Sequence, residues 1–345
     1  MKILLLGSGG REHAFAWKLR QSPLCTRLLI APGNAGTADF GENIDLDIED
    51  NFALYDYVVD NGVQMVVVGP EAPLVNGIWN LLHNMRASSH VPVIGPSLQG
   101  AKLEGSKAFA KKFMLQFGIP TAAYREFIAR HLDTALWYVQ KKATLPIVLK
   151  ADGLAAGKGV VICETREEAA AELKEMLGGK FGEASRKVVI EQFLSGIEFS
   201  VFALTDGESY KILPVAKDYK RVGEGDTGLN TGGMGAVSPP PFVDEILMQK
   251  VEERIIQPTV RGLREKKIQY QGFLFFGLIS VGGEPFVIEY NCRMGDPETE
   301  VVLPRLKNDL VELFLAIKDH RLSEVKIEVD ERAAATIMLT AGGYP

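Results

Sequence analysis

The chain opens with residues 1–14, MKILLLGSGGREHA, in which a short apolar run leads directly into a glycine turn and then into a mixed segment. Similar apolar runs return at 26–31, 63–68 and 91–94, and longer mixed segments separate them. Short apolar runs that alternate with helical segments are typical of buried parallel strands in an α/β layer. The N-terminal part of the chain is therefore predicted to form a doubly wound parallel sheet.

The loops that follow three of these predicted strands are small, polar and turn-forming, and they span 7–13, 31–37 and 69–73. Ligands of doubly wound sheets bind outside the carboxyl ends of the strands, so the three loops are predicted to hold one ligand. A glycine turn at a helix N-terminus suits a phosphate; the alternative is a turn that needs glycine only for packing. A dinucleotide site is disfavoured, because Glu12 replaces the third glycine of the G-x-G-x-x-G fingerprint.

Composition disfavours several classes of protein. The 345 residues are 46% hydrophobic and 24% charged, which is close to average globular usage and argues against disorder and fibres. A formal net charge of −6 disfavours binding to nucleic acid or to an acidic membrane surface. Cys25, Cys163 and Cys292 lie far apart in sequence, so neither a zinc site nor a disulfide framework is indicated. A cytoplasmic protein without a membrane span is expected.

The central region is predicted to contain a hairpin flap, with strands at 146–150 and 160–162 around a glycine loop. The loop is not a Walker A motif, because the spacing of its glycines differs and no helix follows. Its backbone amides could still close over a triphosphate, with lysine charges beside them. The candidates are Gly153, Gly157, Gly159, Lys150 and Lys158. The alternatives are an ordinary exposed strand end for Lys150 and a solvated loop tip for Lys158.

Three further segments carry structural expectations. Residues 100–117 are predicted to form one helical stretch. Residues 188–200 are predicted to form strand, bend and strand, a hinge that could hold adenine, with Glu191 near its amine and Glu198 accepting from ribose; ordinary surface charge is the alternative. Residues 217–235 are predicted to form a functional or mobile loop, in which the amides of 232–233 could cradle an acyl phosphate.

The segment 286–293, FVIEYNCR, gives the strongest local signal. Alternation along a strand places Glu289, Asn291 and Arg293 on one face and buries the residues between them. Two oxygen ligands beside an arginine suit Mg²⁺ on nucleotide phosphates, with the guanidinium free to bind a carboxylate. The alternative is an edge strand with polar decoration. Asp296 is predicted either to cap a helix that begins at Pro297 or to contact substrate.

These motifs follow the order found in the ATP-grasp ligases, and the chain resembles the phosphoribosylamine-glycine ligase family among them. The resemblance covers essentially the whole chain. Its motifs are GSGGREHA at 7–14, APGNAGT at 31–37, GPEAPLV at 69–75, KADGLAAGKGV at 150–160, GDTGLNTGGMGA at 225–236 and NCRMGDPETE at 291–300.

The resemblance implies that ATP phosphorylates the carboxylate of glycine and that the amine of 5-phosphoribosylamine then displaces phosphate, giving glycinamide ribonucleotide. It implies catalytic roles for Arg293, Lys150 and Asp218, with Arg293 orienting the glycine carboxylate. Glu289 and Asn291 would bind Mg²⁺ or Mn²⁺. Contacts to nucleotide or substrate are implied for Lys107, Gly153, Gly157, Lys158, Gly159, Glu191, Gln192, Phe193, Leu194, Glu198, Gly9, Gly10, Asn34, Glu71, Gly232, Gly233 and Asp296.

The fold implied by the resemblance is α/β, with a doubly wound parallel-sheet domain at 1–102 and an ATP-grasp domain at 103–328. The flap subdomain is expected at about 121–190, and 329–345 is expected to open a C-terminal domain that is largely absent. The number of metal ions stays open, because 272–280 lacks the third acid that many ATP-grasp enzymes carry. A monomer or weak homodimer is expected. The alternatives are an ATP-binding but inactive truncated form and a ligase for another acid and amine.

Overall fold

The N-terminal part of the chain alternates strands and helices, as its apolar runs predict. The structure is a computed structural model that describes residues 1–154, 159–225 and 227–344. The elements up to residue 105 are β1 (Lys2–Gly7), α1 (Gly10–Leu19), β2 (Arg27–Pro32), β3 (Glu42–Asn43), α2 (Asn51–Asp60), β4 (Met65–Val68), α3 (Glu71–Val75), α4 (Ile78–Asn84), β5 (Val93–Pro96) and α5 (Leu98–Gly105). The four strands predicted here are confirmed as β1, β2, β4 and β5.

The rest of the described chain contains mixed strands and helices. They are α6 (Lys107–Gln116), β6 (Tyr124–Ile128), α7 (Leu132–Lys141), β7 (Ile147–Ala151), β8 (Val160–Cys163), α8 (Arg166–Leu177), β9 (Lys187–Gln192), β10 (Ile197–Thr205), β11 (Tyr210–Ile212), β12 (Lys217–Gly223), β13 (Thr227–Ser238), α9 (Glu245–Val251), α10 (Gln257–Glu265), β14 (Tyr270–Val281), β15 (Glu284–Asn291), α11 (Thr299–Val302), α12 (Leu310–Lys318) and β16 (Ala334–Ile337). None of the helices in this described part has the length and apolar character needed to cross a membrane.

The parallel strands β3, β2, β1, β4 and β5 lie side by side in that order. Their aliphatic side chains are buried on both faces, which explains the continuous apolar runs in the sequence. The carboxyl ends of β1, β2 and β4 lie at one edge of this sheet, where the three predicted ligand loops begin. The predicted doubly wound layer is therefore confirmed.

The long strand β14 belongs to two parts of the molecule. Its first residues pair antiparallel with β5, through Tyr270 opposite Pro96 and Gln271 opposite Gly95. Its body pairs with β10 on one side and with β15 on the other. The N-terminal strands and the strand that carries Glu289 are therefore parts of one hydrogen-bonded sheet.

The predicted flap forms a separate four-stranded sheet in the order β6-β9-β7-β8, with its own apolar core under α7 and α8. β7 and β8 form the predicted antiparallel hairpin. The predicted strand, bend and strand at 188–200 is confirmed as β9 and β10, but the two strands lie in different sheets. The bend at 193–196 is therefore the place where the chain passes from the flap to the central sheet.

Two segments differ from their predicted structure. The helix predicted for 100–117 is broken at Ser106, whose extended backbone (φ −142°, ψ 110°) ends α5, while its hydroxyl caps α6 by accepting from the N–H of Phe109. The loop predicted for 217–235 is instead a hairpin of β12 and β13, with β16 paired to the far side of β13. Its glycines allow close backbone approach within strands. The predicted domain boundary at 102/103 falls inside α5 and stays a prediction.

Candidate active site

The polar face of β15 is positioned by a local irregularity of the strand. Val287 is buried, yet Glu289 two residues later is partly exposed, because the register with β14 shifts by one residue at Ile288. This bulge turns Glu289 and Asn291 to the accessible face and leaves Tyr290 in the core. The predicted alternation around Tyr290 is confirmed, whereas Arg293 lies beyond the end of the strand.

Glu289 is surrounded by positive side chains. Burial would raise the pKa of its carboxyl, but Lys220, Lys150, Lys107 and Arg293 together hold that pKa below its usual value. The group is therefore an anion at neutral pH. Within the described residues, no group of three or more His, Cys, Asp and Glu side chains could hold a metal ion. A metal site here would thus consist of this carboxylate, the Asn291 amide oxygen and ligand oxygens, a hard donor set that fits Mg²⁺.

Two of the predicted phosphate lysines lie beside this face. Lys150 is only 4% exposed, and its Nζ donates to the carbonyl oxygen of Ile288 at 3.2 Å, so the alternative of an exposed strand end is wrong. Lys107 is partly buried at the start of α6, where its Nζ donates to the carbonyl oxygen of Gly153 at 3.2 Å. Burial lowers the pKa of Lys107, opposed by the charge of Glu289.

The hinge residues divide into a buried and an exposed group. Glu191 is 4% exposed, and its Oε2 pairs with Lys111 Nζ at 2.9 Å and with Lys150 Nζ at 3.2 Å. Its Oε1 is buried and has no hydrogen-bond partner among the described residues. Glu198 is exposed. The remaining predicted hinge contacts are Gln192, whose N–H donates to the Ala123 carbonyl, and Phe193 and Leu194, which are half-buried in the bend.

The glycine amides that were predicted to cradle phosphate already have acceptors. The N–H of Gly9 donates to Glu12 Oε2, and the N–H of Gly153 donates to the Ala184 carbonyl. The N–H groups of Gly232 and Gly233 donate to the Tyr344 and Thr231 hydroxyls. These four amides are therefore engaged by the protein, and the predicted phosphate contacts there, which stay a prediction, require a change of partner. Gly157 and Lys158 lie outside the described residues, and the Gly159 carbonyl accepts from Ala151 N–H.

Gly233 is required by the packing of β13. Its φ is +147°, and a Cβ there would lie 2.3 Å from Pro297 Cδ, whereas a Cβ at Gly232 would meet only the Tyr344 hydroxyl at 3.7 Å. We expect Gly233→Ala to lower the free energy of unfolding by about 1–3 kcal/mol, because both strain and overlap oppose it. Gly232→Ala is the matched control. Denaturant unfolding of both variants checks this, and equal stabilities would contradict it.

Arg293 is engaged by the protein itself. Its Nη2 pairs with Glu104 Oε1 at 2.8 Å and with Glu71 Oε2 at 3.3 Å, and its Nη1 donates to the Met294 carbonyl. Its Nε is buried without a partner among the described residues. The expected guanidinium free to bind a carboxylate is therefore wrong as stated. These ion pairs join the N-terminal sheet, through Glu71 on α3, to the end of β15.

Asn34, another predicted contact to nucleotide or substrate, holds the shape of a loop. The amide nitrogen of Asn34 donates to the Ser8 carbonyl at 2.8 Å, and its side-chain oxygen accepts from Thr37 N–H. Asn34 thus ties the loop after β2 to the loop after β1. Glu71 starts the short helix after β4, and Arg293 lowers the pKa of its carboxyl against the effect of burial. The three loops meet at one edge, as predicted.

A further acidic cluster lies beside the polar face of β15. Asp218 on β12 is 7% exposed and lies 3.6 Å from Lys220 Nζ. Glu298 is buried and accepts a hydrogen bond from Ser200 at 3.0 Å. Burial and the neighbouring Asp218 raise the pKa of Glu298 to about 7. Lys220 is the cation that these carboxylates share.

Sequence comparison identifies the family of this site. Residues 1–104 match the N domain of phosphoribosylglycinamide synthetase, and residues 105–299 match its ATP-grasp (A) domain. The chain belongs to the phosphoribosylglycinamide synthetase family. Phosphoribosylamine–glycine ligase of Escherichia coli K12 is 48% identical over the whole chain, which covers 80% of that relative, and the enzyme of Vibrio parahaemolyticus is 47% identical with the same coverage.

Solved structures agree with this membership in the phosphoribosylglycinamide synthetase family. The crystal structure of phosphoribosylamine–glycine ligase from Thermotoga maritima matches the whole chain with a TM-score of 0.84 and 35% identity, covering 82% of that protein. The crystal structure of N5-carboxyaminoimidazole ribonucleotide synthetase from Thermus thermophilus matches 97% of this chain and 82% of that protein. Its TM-score is 0.67 and its identity is 20%, which shows the shared fold. The predicted ATP-grasp fold and ligase class are therefore confirmed.

In this member of the phosphoribosylglycinamide synthetase family, Asp296 does not cap the helix that follows it in sequence. The helix α11 begins at Thr299, later than predicted, because the chain first turns at Asp296 and Pro297. Asp296 instead approaches the N-terminus of α1, where its Oδ2 accepts from Arg11 N–H at 3.4 Å. A Cβ on Gly10 would lie 2.4 Å from Glu300 Oε1. Two carboxylates therefore face the glycine turn.

The Glu300 carboxyl gives a pH prediction. Burial and the neighbouring Asp296 raise its pKa to about 8 in the folded chain. Because the folded state then binds the proton more tightly than the unfolded state, we expect stability to fall as pH rises from about 5 to 8. Glu300→Gln should flatten this decline, and Glu331→Gln, at an exposed position, should not. Thermal unfolding across this pH range checks it, and an unchanged profile in Glu300→Gln would refute it.

Sequence reasoning missed several ionisable side chains of this family member: Glu104, Lys111 and Glu298, which are buried, Glu300, which is partly buried, and Lys220, which is exposed. Two of them leave a periodic signal. Lys111 follows Lys107 by one helical turn, and Glu104 lies one turn after the buried Ala101. A charged residue at an apolar helix position could therefore have been flagged. The other three have no local signal, because their partners come from distant segments.

Proposed function

We propose that this chain ligates glycine to 5-phosphoribosylamine at the expense of ATP. A carboxylate oxygen of glycine attacks the γ-phosphorus, ADP leaves, and glycyl phosphate forms. The amine nitrogen then attacks the acyl carbon and loses a proton, and the bond from that carbon to the phosphate oxygen breaks, so that inorganic phosphate leaves. The products are glycinamide ribonucleotide, ADP and phosphate. The named relatives and both matched family domains support this reaction.

Lys107 and Lys150 are the proposed phosphate-binding cations. They come from opposite sides of the hinge, one on α6 and one on β7, and both lie near Glu289. Fixed cations aimed at developing phosphoryl charge stabilise the transition state without reorganisation. The bend at 193–196 offers backbone groups to the base, with Glu198 exposed beside it for the ribose hydroxyls.

Glu289 and Asn291 are the proposed holders of Mg²⁺ or Mn²⁺. The carboxylate stays charged because surrounding cations lower its pKa, and the amide lies on the same accessible face. When bound, the cation would neutralise charge on the nucleotide phosphates. The chain's own contribution is to hold these two oxygens rigidly, because the bulge at Ile288 fixes their direction.

The observation that carries the proposal is the ion pair between Arg293 and Glu71. It joins the end of β15 to the loop after β4, so the polar face of β15, where we place the ATP phosphates, adjoins the loop edge of the N-terminal sheet, where we place the amine. A ligase needs these two regions in contact, because an acyl phosphate must meet its amine before water does. The exposed parts of the Arg293 and Glu71 side chains, 16% and 29% of each, are left for substrate.

The test is ADP release by this chain with Mg-ATP, glycine and freshly generated 5-phosphoribosylamine, each omitted in turn. ADP release that requires all three supports the proposed ligase. Release that persists when another amino acid replaces glycine would favour a ligase for a different acid. Binding of Mg-ATP without any ADP release would leave only a nucleotide-binding protein and contradict the proposal.

A further inference from the structure

Lys111 is a buried lysine with no place in the proposed reaction. Its side chain is 2% exposed on α6. Its Nζ donates to the Thr121 hydroxyl at 2.7 Å and pairs with Glu191 Oε2 at 2.9 Å. Burial lowers its pKa to about 8, although Glu191 opposes this effect. A charged group buried at such cost needs a reason beyond filling space.

Lys111 and Lys150 share one oxygen of Glu191, and this sharing explains why Lys111 is buried there. Lys150 pairs with the same Glu191 Oε2, at the longer distance of 3.2 Å. One carboxylate oxygen therefore holds two ammonium groups, and the three side chains carry one net positive charge. Lys111 also reaches β15, because the Thr121 hydroxyl donates to the Val287 carbonyl at 2.7 Å.

We propose that Lys111 is a positioning residue for nucleotide binding: by occupying Glu191, it leaves Lys150 free to bind the phosphates. This inference rests on the proposed role of Lys150. The Lys150 ammonium has three donors, of which one goes to Ile288 and one to the shared carboxylate. The third is left for a phosphate oxygen. Without Lys111, Glu191 and Lys150 would form a neutral buried pair, whose attraction in a poorly solvated site competes with the phosphates.

The experiment measures the ratio of ATP affinity to adenosine affinity, by calorimetry for Mg-ATP and by competition for adenosine, in the full chain. Lys111→Met is expected to lower this ratio about tenfold or more, because only the phosphates lose a partner. Lys111→Gln is the second variant and should behave alike. Lys112→Met is the matched control, since Lys112 pairs with Glu126 on the surface with its side chain 60% exposed.

The double variant Lys111→Met with Glu191→Gln separates positioning from a structural role. Gln keeps an acceptor oxygen but does not hold Lys150 as an ion pair, so the ratio should recover. An equal loss of ATP and adenosine affinity in the single variants, or no recovery in the double variant, would overturn the inference. Lys150→Met tests the proposed function itself. If the affinity ratio is unchanged in Lys150→Met, Lys150 does not bind the phosphates and the proposed function loses this contact. If the ratio falls in Lys150→Met but not in Lys111→Met, only the Lys111 inference is overturned.

Discussion

Arg293→Met is expected to abolish glycine-dependent ADP release, by at least about 100-fold, while Mg-ATP binding is retained. The guanidinium is the only side chain that pairs with both Glu104 and Glu71 among the described residues. Its removal breaks the ion pair between Glu71 and the end of β15 and leaves the Glu104 carboxylate buried without a cation. We therefore also expect a loss of about 3 kcal/mol in the free energy of unfolding.

Two controls separate these effects of Arg293. Glu104→Gln in the Arg293→Met background removes the uncompensated buried charge, so it should restore most of the stability without restoring activity. Urea unfolding and ADP release with and without glycine give both quantities. A near-normal KM for glycine in Arg293→Met, at any stability, would refute the proposed role of this guanidinium.

Glu289→Gln is expected to lower the rate of ADP formation by roughly 100- to 1,000-fold, because a charged oxygen ligand and its fixed field are lost at once. The dependence on Mg²⁺ concentration should move to higher values in the same variant. Glu284→Gln on the same strand is the matched control, since Glu284 pairs with Lys250 and Arg254 at the surface. Activity within about twofold of the parent would exclude Glu289 as the metal ligand.

Much of the fold follows from local sequence, because parallel strands buried on both faces must be apolar throughout. The four N-terminal strands were predictable on this basis. The strands of the hairpin flap and of the hinge pair antiparallel and were predictable from their short apolar runs beside glycines. The hairpin at 217–235 was not, because its glycines suggest a loop until their close contacts are known. The break at Ser106 was also missed, although serine is a common helix cap.

The placement of the candidate site residues was predictable where side chains alternate along one strand, as at Glu289 and Asn291. It was not predictable where distant segments meet. Arg293 and its partner Glu104 lie far apart in sequence, and only the packing of α5 against the end of β15 brings them together. Ion pairs of this kind leave no periodic pattern, so an arginine expected to be free is found engaged.

The strand β14 has a consequence for the timing of catalysis. Because it pairs with β5 at one end and with β15 along its body, main-chain hydrogen bonds connect the proposed amine-binding edge of the N-terminal sheet to the proposed phosphate site on β15. The activated glycyl group would therefore pass between two sites that lie on one continuous hydrogen-bonded sheet. We expect the separate four-stranded flap to shield the proposed glycyl phosphate from hydrolysis, so that its rate of closing would set how many ATP molecules are consumed for each amide made.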